Sequence, residues 1–383
     1  MDNKIAKKNL GQFFTTNSDY ILQGLEKFVG DKKVIDPFAG NQDLINWSMK
    51  NNCQTVKGFD LDEKYFDNSK VFYNDSINQP QDYNFVCTNP PYLHKNKADK
   101  NTKEKFFSSR HSIFEDLYQV SIFSILNSEE GILIVPLNFL SAENSRRIRE
   151  LFFEKFRIIK LNIFSEQVFN DTTYNVIAFY YKKKEKATIQ DVIKATVFPE
   201  KSKIDFTVEK RYHWQLGGEF VKKIEYIGNH LGIFRLTESF LIPGDQKIEI
   251  AVQNIKNKEV VKVAESTKSI LEKNILVLRA IDSKNGQKIQ LEDIRSYDVM
   301  GLVGKNSSRN MAHLIFKTNL SMQEQHALLE RFNKELNDNR KKYSSYFLTN
   351  FRDNNRKRIS FDFAYKMLNY LYQENVKKQP ALL

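Results

Sequence analysis

Between residues 34 and 181, short apolar runs alternate with stretches whose apolar positions recur every three to four residues. Lys33-Val34-Ile35-Asp36 reads as a strand that stops at Pro37, residues 44–51 as a helix, and residues 55–60 as a second strand. Further strands are predicted over 83–88, 131–136 and 158–164, and the β-branched, aromatic run 176–181 suits a sixth. Residues 112–127 and 142–156 carry apolar side chains at helical spacing. Strand and helix taking turns implies parallel pairing with right-handed crossovers, hence an α/β fold with a doubly wound, mostly parallel sheet. In such a sheet ligands bind beyond the carboxyl ends of the strands.

The pattern changes at Lys182-Lys183-Lys184-Glu185-Lys186. A charged run after the last apolar strand marks a boundary, so residues 1–185 are expected to form one domain and 186–383 a second, mixed α+β domain. A solvated hairpin turn would look the same. Within the second domain, 321–336 and 361–373 read as amphipathic helices. No internal repeat or low-complexity tract interrupts either part.

The 383 residues suffice for two cores, and 41% hydrophobic with 28% charged residues is a globular composition. The formal charge of +12 points to a polyanionic partner, nucleic acid being the commonest. A lysine-rich genome would produce the same excess. Cys53 and Cys87 show neither metal-ligand spacing nor a disulfide framework, so no metal is expected. Residues 1–10 lack the apolar run of a signal peptide, and no stretch has the roughly 18 apolar residues of a membrane span. A soluble, cytoplasmic protein is the expectation.

Candidate chemistry gathers at strand ends. Asn89-Pro90-Pro91-Tyr92 follows the apolar run Phe85-Val86-Cys87-Thr88. Two successive prolines cannot continue a sheet ladder, so the backbone must leave the strand there. That frees the Asn89 side-chain carbonyl and the Pro90 backbone carbonyl to accept hydrogen bonds. An amino group donating to both becomes more tetrahedral and turns its lone pair toward an electrophile. Tyr92 can stack on a planar base, an interaction of roughly 1–3 kcal/mol. An ordinary proline turn after a buried strand is the plain alternative.

Three other strand ends are polar. Asp36-Pro37-Phe38-Ala39-Gly40 ends the first strand, and Gly40 allows close backbone approach to a ligand. In Gly58-Phe59-Asp60-Leu61-Asp62, Asp60 stands where nucleotide-binding folds place an acceptor for ribose hydroxyls, though a helix cap would also use it. In Asn74-Asp75-Ser76-Ile77, Asp75 could accept from an adenine amino group, or simply make a turn.

Together, in this order, these segments resemble the amino-methylating DNA methyltransferases, in particular the adenine-modifying group whose cofactor motifs come first and whose recognition domain comes last. Gly11-Gln12-Phe13-Phe14-Thr15 resembles the family's N-terminal segment, which folds over the methionine end of the cofactor. The resemblance covers residues 9–181. It implies S-adenosylmethionine as cofactor and Asn89, Pro90, Pro91 and Tyr92 as the catalytic tetrad. It implies cofactor contacts at Phe13, Phe14, Thr15, Asp36, Pro37, Phe38, Ala39, Gly40, Asp60, Leu61, Asp75, Ser76 and Asn89. Residues 112–123, with Asp116-Leu117-Tyr118, resemble the helix after the tetrad. Val168-Phe169-Asn170 and Thr173-Tyr174-Asn175-Val176 resemble the segment whose ring packs on the extruded base, a role that falls to Phe169, with Tyr174 second; core packing is the alternative for both. One departure stands out: the family usually carries a second glycine after the first, and here Asn41-Gln42-Asp43 follows Gly40.

The implied substrate is double-stranded DNA. A target amino group inside a duplex must be rotated out of the stack, at a cost of a few kcal/mol. The second domain is the candidate for meeting that cost and choosing a sequence. Lys305-Asn306-Ser307-Ser308-Arg309-Asn310 is a polar, basic loop, and Lys305, Ser307 and Arg309 are candidate DNA contacts. Arg352, Arg356, Lys357 and Arg358 form a basic cluster beside Tyr343, Tyr346, Phe347 and Phe351; Arg352, Arg356 and Arg358 join the candidates. Solvated surface is the plain reading of each. Cytosine N4, RNA and a protein glutamine remain as alternative acceptors for the same tetrad, and a DNA-binding module without turnover remains as a non-enzymatic one. No nuclease-like acid–lysine cluster stands out, so a cognate restriction endonuclease would be a separate chain.

Overall fold

A computed structural model describes residues 14–67, 69–169, 175–225, 227–283, 288–350 and 356–378. The first unit is built on a nine-stranded sheet: β1 (Lys33–Asp36), β2 (Thr55–Asp60), β3 (Val71–Tyr73), β4 (Phe85–Thr88), β5 (Glu130–Pro136), β6 (Phe156–Phe164), β7 (Val176–Lys183), β8 (Gln190–Phe198) and β9 (Ser202–Glu209). Its order is β3-β2-β1-β4-β5-β7-β6-β8-β9. The first five strands are parallel neighbours, and β7 runs antiparallel between β5 and β6. The order reverses at β1, which lies between β2 and β4, so the crevice there is the switch point where doubly wound sheets bind ligands.

The sequence explains why these strands are central. β4 (Phe-Val-Cys-Thr) is buried at every position, and the four residues Ile132–Val135 of β5 are fully buried. Such continuous apolar runs suit strands covered on both faces. The helices packed on it are α1 (Asp43–Lys50), α3 (Leu117–Ser124) and α4 (Arg146–Lys155), whereas α2 (Lys100–Phe106) buries no residue. Asp116 and Gln119 close a capping box at the start of α3. The helices are shorter than the predicted runs 112–127 and 142–156, and β3 is a strand that the periodicity did not announce.

The expected boundary at residue 185 needs correction. β8 pairs in parallel with β6, and β9 returns antiparallel to β8, so the sheet continues past it. The compact unit extends to Gly218, and the second begins at Glu219. The charged run 182–186 therefore joins two strands of one sheet. Within it, Lys184 is buried: its ammonium pairs with Asp191 at 2.7 Å and lies over the Trp214 ring at 4.4 Å. Trp214 in turn stacks on Phe153, centroids 5.1 Å apart.

The second unit is mixed α+β, as the pattern implies. A four-stranded sheet has the order β10 (Phe234–Arg235), β16 (Met311–Ile315), β13 (Leu276–Arg279), β14 (Gln290–Asp293). A three-stranded sheet joins β12 (Asn254–Val263), β11 (Pro243–Val252) and β15 (Gly301–Val303), and β17 (Thr349–Asn350) pairs with β18 (Lys357–Arg358). The helix α5 (Met322–Lys342) begins with a Ser321–Glu324 capping box. Its Leu328, Phe332 and Leu336 enter one core with Met367, Leu368 and Leu371 of α6 (Phe361–Lys378). Among the described residues, no helix is long and apolar enough to cross a membrane.

Candidate active site

The carboxyl ends of β1, β2 and β4 open into a cavity of about 410 Å³, within the range of roughly 300–1,000 Å³ usual for small-molecule sites. Its wall includes Asp36, Pro37, Phe38, Ala39 and Gly40 after β1, Asp60 and Leu61 at the end of β2, Asp75 and Ser76 after β3, and Asn89 and Pro91 after β4. The strand-end motifs from four stretches of sequence thus meet in one place.

The loop after β1 is held by acceptors that the strands supply. Asp36 is 2% exposed; its Oδ1 accepts the Thr88 hydroxyl at 2.6 Å and the Phe38 amide at 3.0 Å. Burial nonetheless pushes its carboxyl up to about 7, with the nearby Asp60 and Asp43 raising it further. Asp60 accepts the Gly40 amide at 2.9 Å and the Asp62 amide at 2.9 Å, and burial raises its carboxyl too. Gly40 has φ +44°, and a β-carbon there would stand 3.4 Å from the Phe14 ring. Phe14 thus closes over the loop, while Thr15, 3% exposed, accepts the Asn89 side-chain amide at 3.0 Å. Gln42, in the segment that follows Gly40, takes φ +65°, the left-handed region, at the N-cap position of α1 without a side-chain cap bond.

Asp75 lines the cavity, but its carboxylate already accepts the Asn78 amide at 3.2 Å and the Asn78 side chain at 3.0 Å, with Lys105 3.5 Å away. Ser76 accepts from Asn74 at 3.0 Å.

Two expected contacts differ. The Tyr92 ring is 5% exposed and is not on the cavity wall. Its hydroxyl donates to Asn89 Oδ1 and lies 2.8 Å from the Ile134 carbonyl. A buried phenol must satisfy its O–H, and the strand end offers acceptors, so the ring turns inward rather than outward for stacking. Phe169 is 3% exposed and also absent from the wall, consistent with the core alternative. Phe13, Tyr174 and Arg352 lie outside the described residues.

Sequence reasoning missed part of the wall: Asp43, and Asn101, Thr102, Lys105 and Phe106 of α2. The run 95–105, with Lys95, Lys97, Lys100, Lys103 and Lys105, shows no apolar periodicity. The available signal was Asp99, whose side chain caps α2 by accepting the Thr102 amide at 2.7 Å.

In the second unit, Lys305, Ser307 and Arg309 are exposed. The basic cluster is partly engaged within the unit. Lys357 is 2% exposed, Arg356 donates to the Asp282 carbonyl at 2.6 Å, and Arg358 is half-buried. Asp282 also takes a two-pronged contact from Arg340, both distances 2.8 Å, so much of the cluster's charge ties β18 to the core.

An antiparallel seventh strand inserted between β5 and β6, a crevice at β1 and a proline-flanked turn after β4 define the fold class of the S-adenosylmethionine-dependent methyltransferases. Residues 10–169 match the model of the Eco57I restriction-modification methylase family. Among curated proteins, no sequence matches the chain. Similar solved structures include the type IIG restriction endonuclease BpuSI (10% identity, TM-score 0.45, 95% of this chain and 59% of that one). Another is a DrdV–DNA complex (10% identity, TM-score 0.47, 88% and 53%). A third is the methyltransferase subunit of a type I restriction-modification system from Streptococcus thermophilus (14% identity, TM-score 0.34, 49% and 48%). The chain spans between about half and three fifths of the length of these proteins.

Proposed function

We propose that the chain is a site-specific DNA methyltransferase that moves a methyl group from S-adenosylmethionine to the N6 amino group of adenine in duplex DNA, as the modification enzyme of a restriction-modification system. The observation that carries this reading is the placement of Asn89 on the wall of the same cavity as Asp36, Gly40 and Asp60. Bound there, the cofactor would supply an electrophilic methyl group on a sulfonium. The cavity suits it: Gly40 and Phe14 form a tight cradle, and Asp36, Asp43, Asp60, Asp62 and Asp75 outnumber the single Lys105, matching a cationic ligand.

In this reading Asp60 accepts ribose hydroxyls, Asp75 the adenine amino group, and Phe14 and Thr15 cover the methionine end. Asn89 Oδ1 and the Pro90 carbonyl accept the two hydrogens of the target amino group and turn its lone pair outward. The nitrogen loses a proton only after it has gained the methyl group and positive charge, so no strong general base is required. An entering base must displace the Tyr92 hydroxyl from Asn89 Oδ1. The base leaves the duplex to reach the turn, and its extrusion is offset by contacts from the second unit. There Lys305, Ser307, Arg309, Arg356 and Arg358 are the proposed DNA contacts.

The test is incubation with tritiated S-adenosylmethionine and, separately, duplex DNA, RNA and protein, followed by nucleoside analysis. N6-methyladenine in DNA is expected. Label in cytosine would overturn the adenine assignment, and label in RNA or protein alone the DNA assignment. Asn89→Ala should abolish turnover while duplex binding persists; wild-type rates in that variant would remove the turn from the mechanism. Asp60→Ala should chiefly weaken cofactor binding, and an unchanged Kd would refute its role.

A further inference from the structure

We propose that Arg235 is the positioning residue that presents the 304–310 loop to duplex DNA and thereby sets which target sequence is accepted. This rests on the DNA-methyltransferase reading above.

Arg235 ends β10 at the edge of the four-stranded sheet, and the loop joins β15 to β16. Backbone bonds fix the loop at its two ends: the Gly304 amide donates to Leu236 at 3.1 Å, and the Ala280 amide donates to Asn310 at 2.8 Å. Between them, the Ser308 amide closes a turn onto the Lys305 carbonyl at 2.9 Å. The Arg235 guanidinium completes the scaffold. One Nη donates to the Ser308 carbonyl at 2.9 Å, the other to the Asn306 carbonyl, and the group lies over the Phe361 ring, 5.4 Å from its centroid. A planar fork suits two carbonyls two residues apart, whereas a lysine ammonium is a point charge on a flexible stem.

The consequence is directional. Arg235 consumes main-chain carbonyls and leaves the side chains of Lys305, Ser307 and Arg309 exposed. Phosphate contacts position a protein on DNA, but base edges are read only by side chains held in register. Charge points to the same partner. The loop is stitched to β18, since the Ala280 carbonyl accepts the Ile359 amide at 3.0 Å. Arg358 lies close enough to Arg309 for that charge to depress its basicity, beyond the effect of burial. Three arginines from three separate segments therefore converge, and among the described residues no ion pair joins any of them to a carboxylate. A polyanion is the complement of such a platform.

The test uses the full chain, expressed in a host without adenine methylation, with methylated positions read across the genome. Wild type should mark one motif. Arg235→Ala and Arg235→Lys should both mark a degenerate set, and kcat/KM on duplex DNA carrying the motif should fall about tenfold or more. S-adenosylmethionine Kd should stay at its wild-type value. In Arg235→Lys, which keeps the charge, affinity for random-sequence duplex and its salt dependence should also be unchanged, whereas Arg309→Ala should lower the salt slope by about one. A wild-type motif and rate in Arg235→Lys would show that charge alone suffices and would overturn the proposal. That variant keeps the cation and decides the matter even if Arg235→Ala fails to fold. Absence of any DNA mark from the wild type would instead overturn the methyltransferase reading itself.

Discussion

Asp36 shows how much a strand end asks of one side chain. It sits at the bottom of the cavity, holds Thr88 and the Phe38 amide, and has its carboxyl pushed up to about 7 by burial. An unfolded chain releases that proton near pH 4, roughly the reference value, while the native protein keeps it until about 7. The native state therefore binds more protons across that window, and stability falls as pH rises through it. Asp36→Asn removes the titration, so its Tm relative to wild type should climb from pH 4 to 7 and then level off; a constant difference would refute the burial argument. Tyr92→Phe keeps the ring but loses the bond to Ile134, and should cost about 1 kcal/mol in urea unfolding. The same change removes the hydroxyl that donates to Asn89 Oδ1, so methylation should survive. Gln42→Gly should relieve the left-handed strain and stabilise by about 1 kcal/mol; a loss would mean its bond to Asp67 matters more. Asp36, Asp60 and Asn89 were legible because each ends an apolar run. The inward turn of Tyr92 was not, because its acceptor, the Ile134 carbonyl, lies 42 residues away.

Helices and strands divide along the same line. β1 and β2 were recognisable to the residue because their flanks, Pro37 and Leu61-Asp62, punctuate the chain. α2 was missed because its run of lysines gives no apolar periodicity to mark the positions, Asn101, Thr102, Lys105 and Phe106, that line the cavity. The charged run after β7 misled for a related reason. Lysine usually marks solvent, yet Lys184 sets its ammonium over the Trp214 ring and against Asp191. Breaking a buried pair strands the remaining charge, so Lys184→Met should destabilise by about 3–5 kcal/mol. The double variant with Asp191→Asn should recover part of that loss. Equal urea midpoints for wild type and Lys184→Met would show the pair to be inert.

For the molecule as a whole, the position of the boundary decides what can fold alone. A fragment of residues 1–185 would lack β8 and β9, expose the edge of β6 and remove Trp214 from Phe153. A fragment of residues 1–218 keeps all nine strands. The longer fragment should unfold cooperatively and bind S-adenosylmethionine, and the shorter should aggregate through its open edge. A soluble, cooperative 1–185 fragment would restore the earlier boundary.

The chain's own pattern determined the alternation of strand and helix, the polar groups at strand ends and the basic excess, because each is a local property: periodicity, backbone punctuation and charge. Tertiary structure alone decided that β8 and β9 extend the first sheet, that Tyr92 and Phe169 turn inward, that α2 roofs the cavity, and that Arg235 grips a loop some 70 residues away. Those outcomes depend on which buried donors meet which acceptors. Such pairings are set by packing between distant segments and leave no periodic trace in the sequence.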